Sequence, residues 1–165
     1  MNTSVITLST CSIDYLDKIN DYILPPEQHQ FTSYPVEVLT QNIDVNEIVP
    51  VLIMEENHIV GFFCLHQGKR VTEVTDNKKA LLLTSFSINY IHQKRGCAKQ
   101  ALLNIATFIH DHFEDINEVV LEVNMRNTPA QSLYKSCGFK DLGERRIGIK
   151  GEKMILHLDI TADKK

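Results

Sequence analysis

The chain has 165 residues, enough for one domain with a core that needs no disulfide or metal staple. Hydrophobic residues make up 43% and charged residues 23%, the balance of an ordinary globular protein rather than a disordered chain. A formal net charge of −4 argues against general nucleic-acid binding and offers a cationic substrate only mild attraction.

Four cysteines stand at 11, 64, 97 and 137, and none has the Cys-x-x-Cys spacing of a zinc or redox site. Cys64 lies in an apolar run and reads as a core residue. The start "MNTSVITLST" lacks the basic and long apolar segments of a signal peptide, and no run approaches a membrane span. The expected compartment is the reducing cytoplasm, with no membrane partner and no metal.

Residues 5–9 alternate like a short strand. Ser12 is a candidate cap for a helix over 12–24, which Pro25-Pro26 ends. The polar and aromatic stretch 26–34 reads as a loop, and Pro35 opens a short helix over 35–43. Residues 48–55 and 59–67 then form a hairpin around Glu56-Asn57-His58. A polar loop over 70–79 precedes a strand over 80–90.

The clearest helix begins near Ala98 and runs to Phe113, with Ala101, Leu102, Ile105, Ala106 and Ile109 at helical spacing. Residues 118–125 form a strand with Val119, Leu121 and Val123 on one face and Glu122 and Asn124 on the other. Thr128-Pro129 opens a helix that Gly138 stops, and residues 145–160 form a closing hairpin that turns near Lys150-Gly151. The order β α α β β β α β α β β predicts an α/β fold with a central mixed sheet. The helix between the strands at 80–90 and 118–125 implies a parallel crossover.

The junction "HQKRGCAKQ" (92–100) carries the chemistry. A helix that starts directly after a strand leaves amide donors unpaired, and its dipole favours an anion there. Gly96 removes a side chain where a phosphate would meet the backbone, and Lys94 and Arg95 add charge. The segment has neither the Walker spacing nor a dinucleotide fingerprint. Taken alone, it is either an anion site or an idle basic turn.

The pattern Gln93-Lys94-Arg95-Gly96-Cys97-Ala98, followed by Asn127, Ala130, Tyr134 and Gly138-Phe139, resembles the GCN5-related N-acetyltransferase (GNAT) superfamily. The signature Gln/Arg-x-x-Gly-x-Gly/Ala stands where that family has it, between a strand and a long helix. The element order along the whole chain also agrees, especially with small bacterial members. Lys94 departs from many relatives, which have glycine there.

The resemblance implies a single acetyltransferase domain over 1–165. Its sheet would be mostly antiparallel, with about seven strands, a splayed parallel pair (80–90 and 118–125) and about four flanking helices. It implies acetyl-CoA as co-substrate, with the pyrophosphate on the turn Gln93 to Ala98. The pantetheine would lie along the backbone near Phe86 and Ile88, with Asn127 and Ala130 beside the cofactor. Tyr134 would be both a cofactor contact and the acid that protonates the departing thiolate. A phenol of pKa ~10 suits that role, although its helical face also fits a packing tyrosine.

The strand at 80–90 lacks the carboxylate that many relatives use as a base, so deprotonation is expected through water or another carboxylate such as Glu122. His92 lies nearer the phosphate turn than the acetyl group and is a poor base. His110 and His112 do not share a helix face and are poor metal partners. Glu27, Phe31 and Tyr34 are candidates for acceptor binding. The expected acceptor is a small amine such as a polyamine, or a protein amine. A non-catalytic acyl-CoA sensor of the same fold is the alternative. Family members are often homodimers, so a homodimer is also expected.

Overall fold

A computed structural model describes residues 5–11, 18–19, 21–40 and 46–161. Seven strands form one sheet: β1 (Ile6–Thr10), β2 (Ile48–Glu55), β3 (His58–His66), β4 (Ala80–Ile88), β5 (Glu118–Asn124), β6 (Lys140–Gly148) and β7 (Gly151–Asp159). Their order is β1-β2-β3-β4-β5-β7-β6. Every neighbouring pair is antiparallel except β4 and β5. This is the mixed, mostly antiparallel sheet expected from the sequence.

The parallel pair separates early. Ala80, Leu81 and Leu82 pair with Glu118, Val119 and Val120, and the pairing goes no further. A bulge explains part of the separation. Between Phe62↔Ser87 and Cys64↔Thr84 the register gains one residue on β4, and Ser85 takes a left-handed φ of 59°. Bulges bend the strand that carries them, so the second half of β4 turns away from β5.

Side-chain alternation gives the sheet two distinct faces. Val119, Leu121, Val123, Met154 and Leu156 join the main core with Leu102, Ile105, Ile109 and Tyr134. These helical residues come from α4 (Cys97–Leu103), α5 (Ile105–His112) and α6 (Thr128–Ser136). The opposite face carries two smaller clusters. Leu82, Val120 and Ile155 meet Val71 of α3 (Lys69–Thr72), while Leu52, Phe62 and Cys64 meet Tyr22 and Leu24.

Several boundaries differ from expectation. The predicted loop 26–34 contains the short helix α1 (Pro26–His29), because Pro26, read as a helix stop, also occupies a first helical position. The predicted loop 70–79 begins with α3, since Val71 and Val74 lie three apart and bury against the sheet. The helix at 35–43 appears as α2 (Pro35–Leu39), with 41–45 outside the described residues. Most of the expected helix 12–24 also lies outside them.

The long helix is divided at Asn104, whose side-chain amide donates to the Ile6 carbonyl at 3.2 Å. The strand expected to reach residue 90 ends at Ile88, and Tyr90–His92 form a single 3-10 turn. The closing hairpin starts five residues early, at Lys140. There β6 is an exposed sheet edge with irregular register between Asp141 and Arg145, so its alternation is weak.

Candidate active site

The separation of β4 and β5 opens a cleft of about 1340 Å3 that crosses the sheet. Among the predicted site residues, Phe86, Ile88, Gln93, Lys94, Gly96, Cys97, Ala98, Asn127, Ala130 and Tyr134 line it. Glu27, Phe31 and Glu122 line it as well. Arg95 and Tyr34 do not.

The turn before α4 presents main chain to the cleft. Amides 94–98 donate to no main-chain carbonyl among the described residues. Lys94 (φ 63°) and Gly96 (φ 81°) both take the left-handed conformation that lets successive amides converge. Gly96 meets the requirement without penalty, and a Cβ there would face open space. Lys94 accepts roughly 1–2 kcal/mol of backbone cost where a glycine would accept none. Gln93 does not use its side chain on the cleft. Its amide donates to the Ile88 carbonyl at 2.8 Å and pairs reciprocally with Gln28 of α1 at 2.7 and 3.0 Å.

Arg95 points away and forms an ion pair with Glu55, while also contacting His92 Nδ1 at 3.0 Å. Cys97 is buried, so it offers its main chain rather than its thiol. The Asn127 side chain caps α6 by accepting from the Ala130 amide at 3.4 Å. This bond fixes the start of the helix that carries Tyr134.

Tyr134 stands between Phe86 and Phe139, with ring centroids 6.1 and 5.6 Å away. Phe86 in turn stacks on Phe63 at 5.8 Å, so the aromatic wall continues into the core. Among the described residues the Tyr134 hydroxyl has no hydrogen-bond partner. Burial pushes its phenol above the ordinary value, which keeps it protonated throughout the neutral range.

Across the sheet the cleft is lined by charged and polar side chains. Glu122 forms ion pairs with Arg146 at 2.7 Å and Lys153 at 3.4 Å. Its side chain is 8% exposed, and both of its oxygens are engaged by cations from β6 and β7. Phe31 lies under the Arg126 guanidinium at 5.5 Å, and Lys150 bonds the Gln30 carbonyl. These contacts tie the loop after α1 to the β5–α6 loop through Arg126 and to the β6–β7 turn through Lys150. Tyr34 is a scaffold for the same region: its hydroxyl bonds both the amide and the carbonyl of Leu24, at 3.1 and 3.0 Å.

His66 also lines the cleft, and it was not singled out from the sequence. It is 7% exposed, with Nε2 2.6 Å from Thr84 Oγ1 and Nδ1 buried without a partner. Burial, reinforced by Arg70, pulls it down to about 4, so the imidazole is neutral at pH 7. The available signal was its alternation with Phe62 and Cys64 at the end of an apolar strand.

Among the described residues no cluster of three metal-ligating side chains exists, and no helix is long and apolar enough to cross a membrane.

Comparison with known proteins places this geometry. The profile described as "Acetyltransferase (GNAT) family" matches residues 16–139. An uncharacterized N-acetyltransferase of Bacillus subtilis (strain 168), YbbJ, is 38% identical over 156 residues, covering 94% of this chain and 98% of its own. The structure of AAC(6')-Ib in complex with paromomycin and acetyl-CoA superposes with a TM-score of 0.75 at 10% identity, covering 94% of this chain and 93% of that one. A SpeG spermidine N-acetyltransferase chimera from Vibrio cholerae and human SSAT gives 0.69 at 16% identity, covering 95% and 96%. The structural matches show a shared fold, and the profile with the B. subtilis relative shows the family. The chain belongs to the GNAT acetyltransferase family and is an acetyltransferase that uses acetyl-CoA as its co-substrate.

Proposed function

We propose that the protein transfers the acetyl group of acetyl-CoA directly to a primary amine, small or protein-borne, in the cleft between β4 and β5. One observation carries the reading. A single cleft joins the amides of 94–98, which donate to no main-chain carbonyl among the described residues, to the Tyr134 hydroxyl, which has no hydrogen-bond partner among them. The amides and Lys94 would hold the pyrophosphate, and the separated edge of β4 near Phe86 would hold the pantetheine.

The amine nitrogen attacks the thioester carbonyl, the carbon–sulfur bond breaks, and the departing sulfur takes the Tyr134 proton. The amine releases its own proton to water, and the phenolate regains one from solvent. The thiolate would supply the partner that the Tyr134 hydroxyl lacks among the described residues. This spare donor favours turnover over the alternative, an acyl-CoA sensor. His66 lines the same cleft and, being neutral, does not repel an ammonium there.

The reading treats residues 1–165 as one acetyltransferase domain, and it is supported by the single sheet that the strands among the described residues form. Four cysteines outside any disulfide suit the cytoplasm. Leu142, Ile147 and Ile149, exposed at or beside the edge strand β6, suit a homodimer. The test is a panel of primary amines assayed for CoA release from acetyl-CoA. Release that depends on the amine supports transfer. Tight acetyl-CoA binding without turnover on any small or peptidyl amine would favour the sensor.

A further inference from the structure

The cleft has two ends on opposite faces of the sheet, and their charges differ in purpose. Met154 and Leu156 pack toward α4 and α5, so Lys153 and Ile155 point to the other face, where Ile155 meets the α3 cluster. Arg146 pairs in register with Lys153 and shares that face. Both cations therefore lie across the sheet from the amides of 94–98. They share one carboxylate, Glu122, and remain 38% and 34% exposed. Lys153 is directed across Gly148, where a Cβ would collide with its stem. The group carries one positive charge more than its own carboxylate neutralises.

A polycationic acceptor finds little to hold it here. The cleft's carboxylates are Glu27, Glu73 and Glu122. Glu122 has its two cations, and Glu73 lies 3.9 Å from Arg70. Glu27 alone has no ion-pair partner among the described residues. That suffices for one ammonium and not for several.

We propose that the acceptor is a primary amine that also carries a carboxylate, with the carboxylate held by Arg146 and Lys153. The inference rests on the acetyltransferase reading and narrows its substrate class. A guanidinium and an ammonium converging on one carboxylate make charge-assisted hydrogen bonds, and the surplus charge lets them accept a second. His66 adds no competing charge, since it is neutral.

The test compares free α-amino acids, assayed one at a time, with their methyl esters and with spermidine, by CoA release from acetyl-CoA. The ester amine is the less protonated of each pair, so chemistry alone favours the ester. We expect the free acid to exceed both its ester and spermidine in kcat/KM by about tenfold or more. Arg146→Met and Lys153→Met should each reduce that preference several-fold while acetyl-CoA affinity stays within about twofold. Preserved acetyl-CoA binding also shows that the variants fold.

Preference for the ester or spermidine overturns the proposal. So does an unchanged preference in both variants, or a large loss of acetyl-CoA affinity, which would assign these cations to the cofactor. If no amine turns over, binding of N-acetylamino acids against their carboxamides in the presence of CoA separates the two readings. Preferential binding of the acid, lost in Arg146→Met, upholds the anion site and removes the transferase reading. Equal binding of acid and carboxamide removes both.

Discussion

On the side of the sheet covered by α4, the cleft presents main-chain groups: the amides of 94–98, two left-handed residues, and a separated strand edge. On the opposite side it presents side chains: the Glu122–Arg146–Lys153 group, the Phe31–Arg126 contact and the buried His66–Thr84 pair. In the proposed function the first side would bind through atoms every residue has, so its chief sequence requirement is small size and a permissive φ. The second would bind through individual functional groups, and each substitution there would change what it recognises. A conserved co-substrate and a variable acceptor need this division of labour.

The largest effect is expected where the main-chain side is breached. Gly96→Glu places a side chain and a negative charge where Gly96 now leaves open space. Acetyl-CoA affinity should fall at least 100-fold, an order of magnitude that follows from losing one or two charge-assisted bonds. Gly96→Ala is the control for strain, at roughly 1–2 kcal/mol of stability with no added charge. Calorimetric titration with acetyl-CoA checks both, and unchanged affinity in the glutamate variant would remove the phosphate role from this turn.

On the side-chain face, His66 couples stability to pH. Its folded pKa of about 4 lies below the ordinary 6.5, so between those values the unfolded chain binds a proton that the folded chain does not. Stability should therefore fall as pH drops from about 6.5 toward 4, by on the order of 2–3 kcal/mol. His66→Gln should flatten that part of a denaturation-versus-pH profile. An unaltered slope would mean the imidazole is not held neutral by burial.

The smallest effect is expected at Arg95. Because it pairs with Glu55 outside the cleft lining, Arg95→Ala should change acetyl-CoA affinity by less than about threefold, within the range of an exposed ion pair. A tenfold loss would bring it back to the phosphate site.

The same division decides what could be read from the chain. Gln93-x-x-Gly96-x-Ala98 and the strand–helix junction were legible because they are short, local and constrained by backbone geometry. The sheet was legible because alternation and apolar runs encode buried strands. Side-chain direction was not. Gln93 and Arg95 sit two apart in one motif, yet the first braces α1 and the second leaves the cleft for Glu55.

Tyr34 looked available as an aromatic wall, but its hydroxyl is committed to Leu24. Glu122 looked available as a base, but its two cations arrive from β6 and β7, 24 and 31 residues away. His66 was hidden because its role depends on Thr84, on the next strand. Contacts made across strands leave no local pattern.

The central claim is that Tyr134 donates the proton at the cofactor end of the cleft. Its most direct test is Tyr134→Phe, with kcat and acetyl-CoA affinity measured on the same preparation. Phenylalanine preserves the ring contacts with Phe86 and Phe139 and removes only the unpartnered hydroxyl. The account predicts that kcat falls by about 100-fold, the range of a lost general acid, while acetyl-CoA affinity and thermal stability stay close to wild type. Unchanged kcat, or a loss of stability that accounts for the whole effect, would make Tyr134 a packing residue and contradict the mechanism.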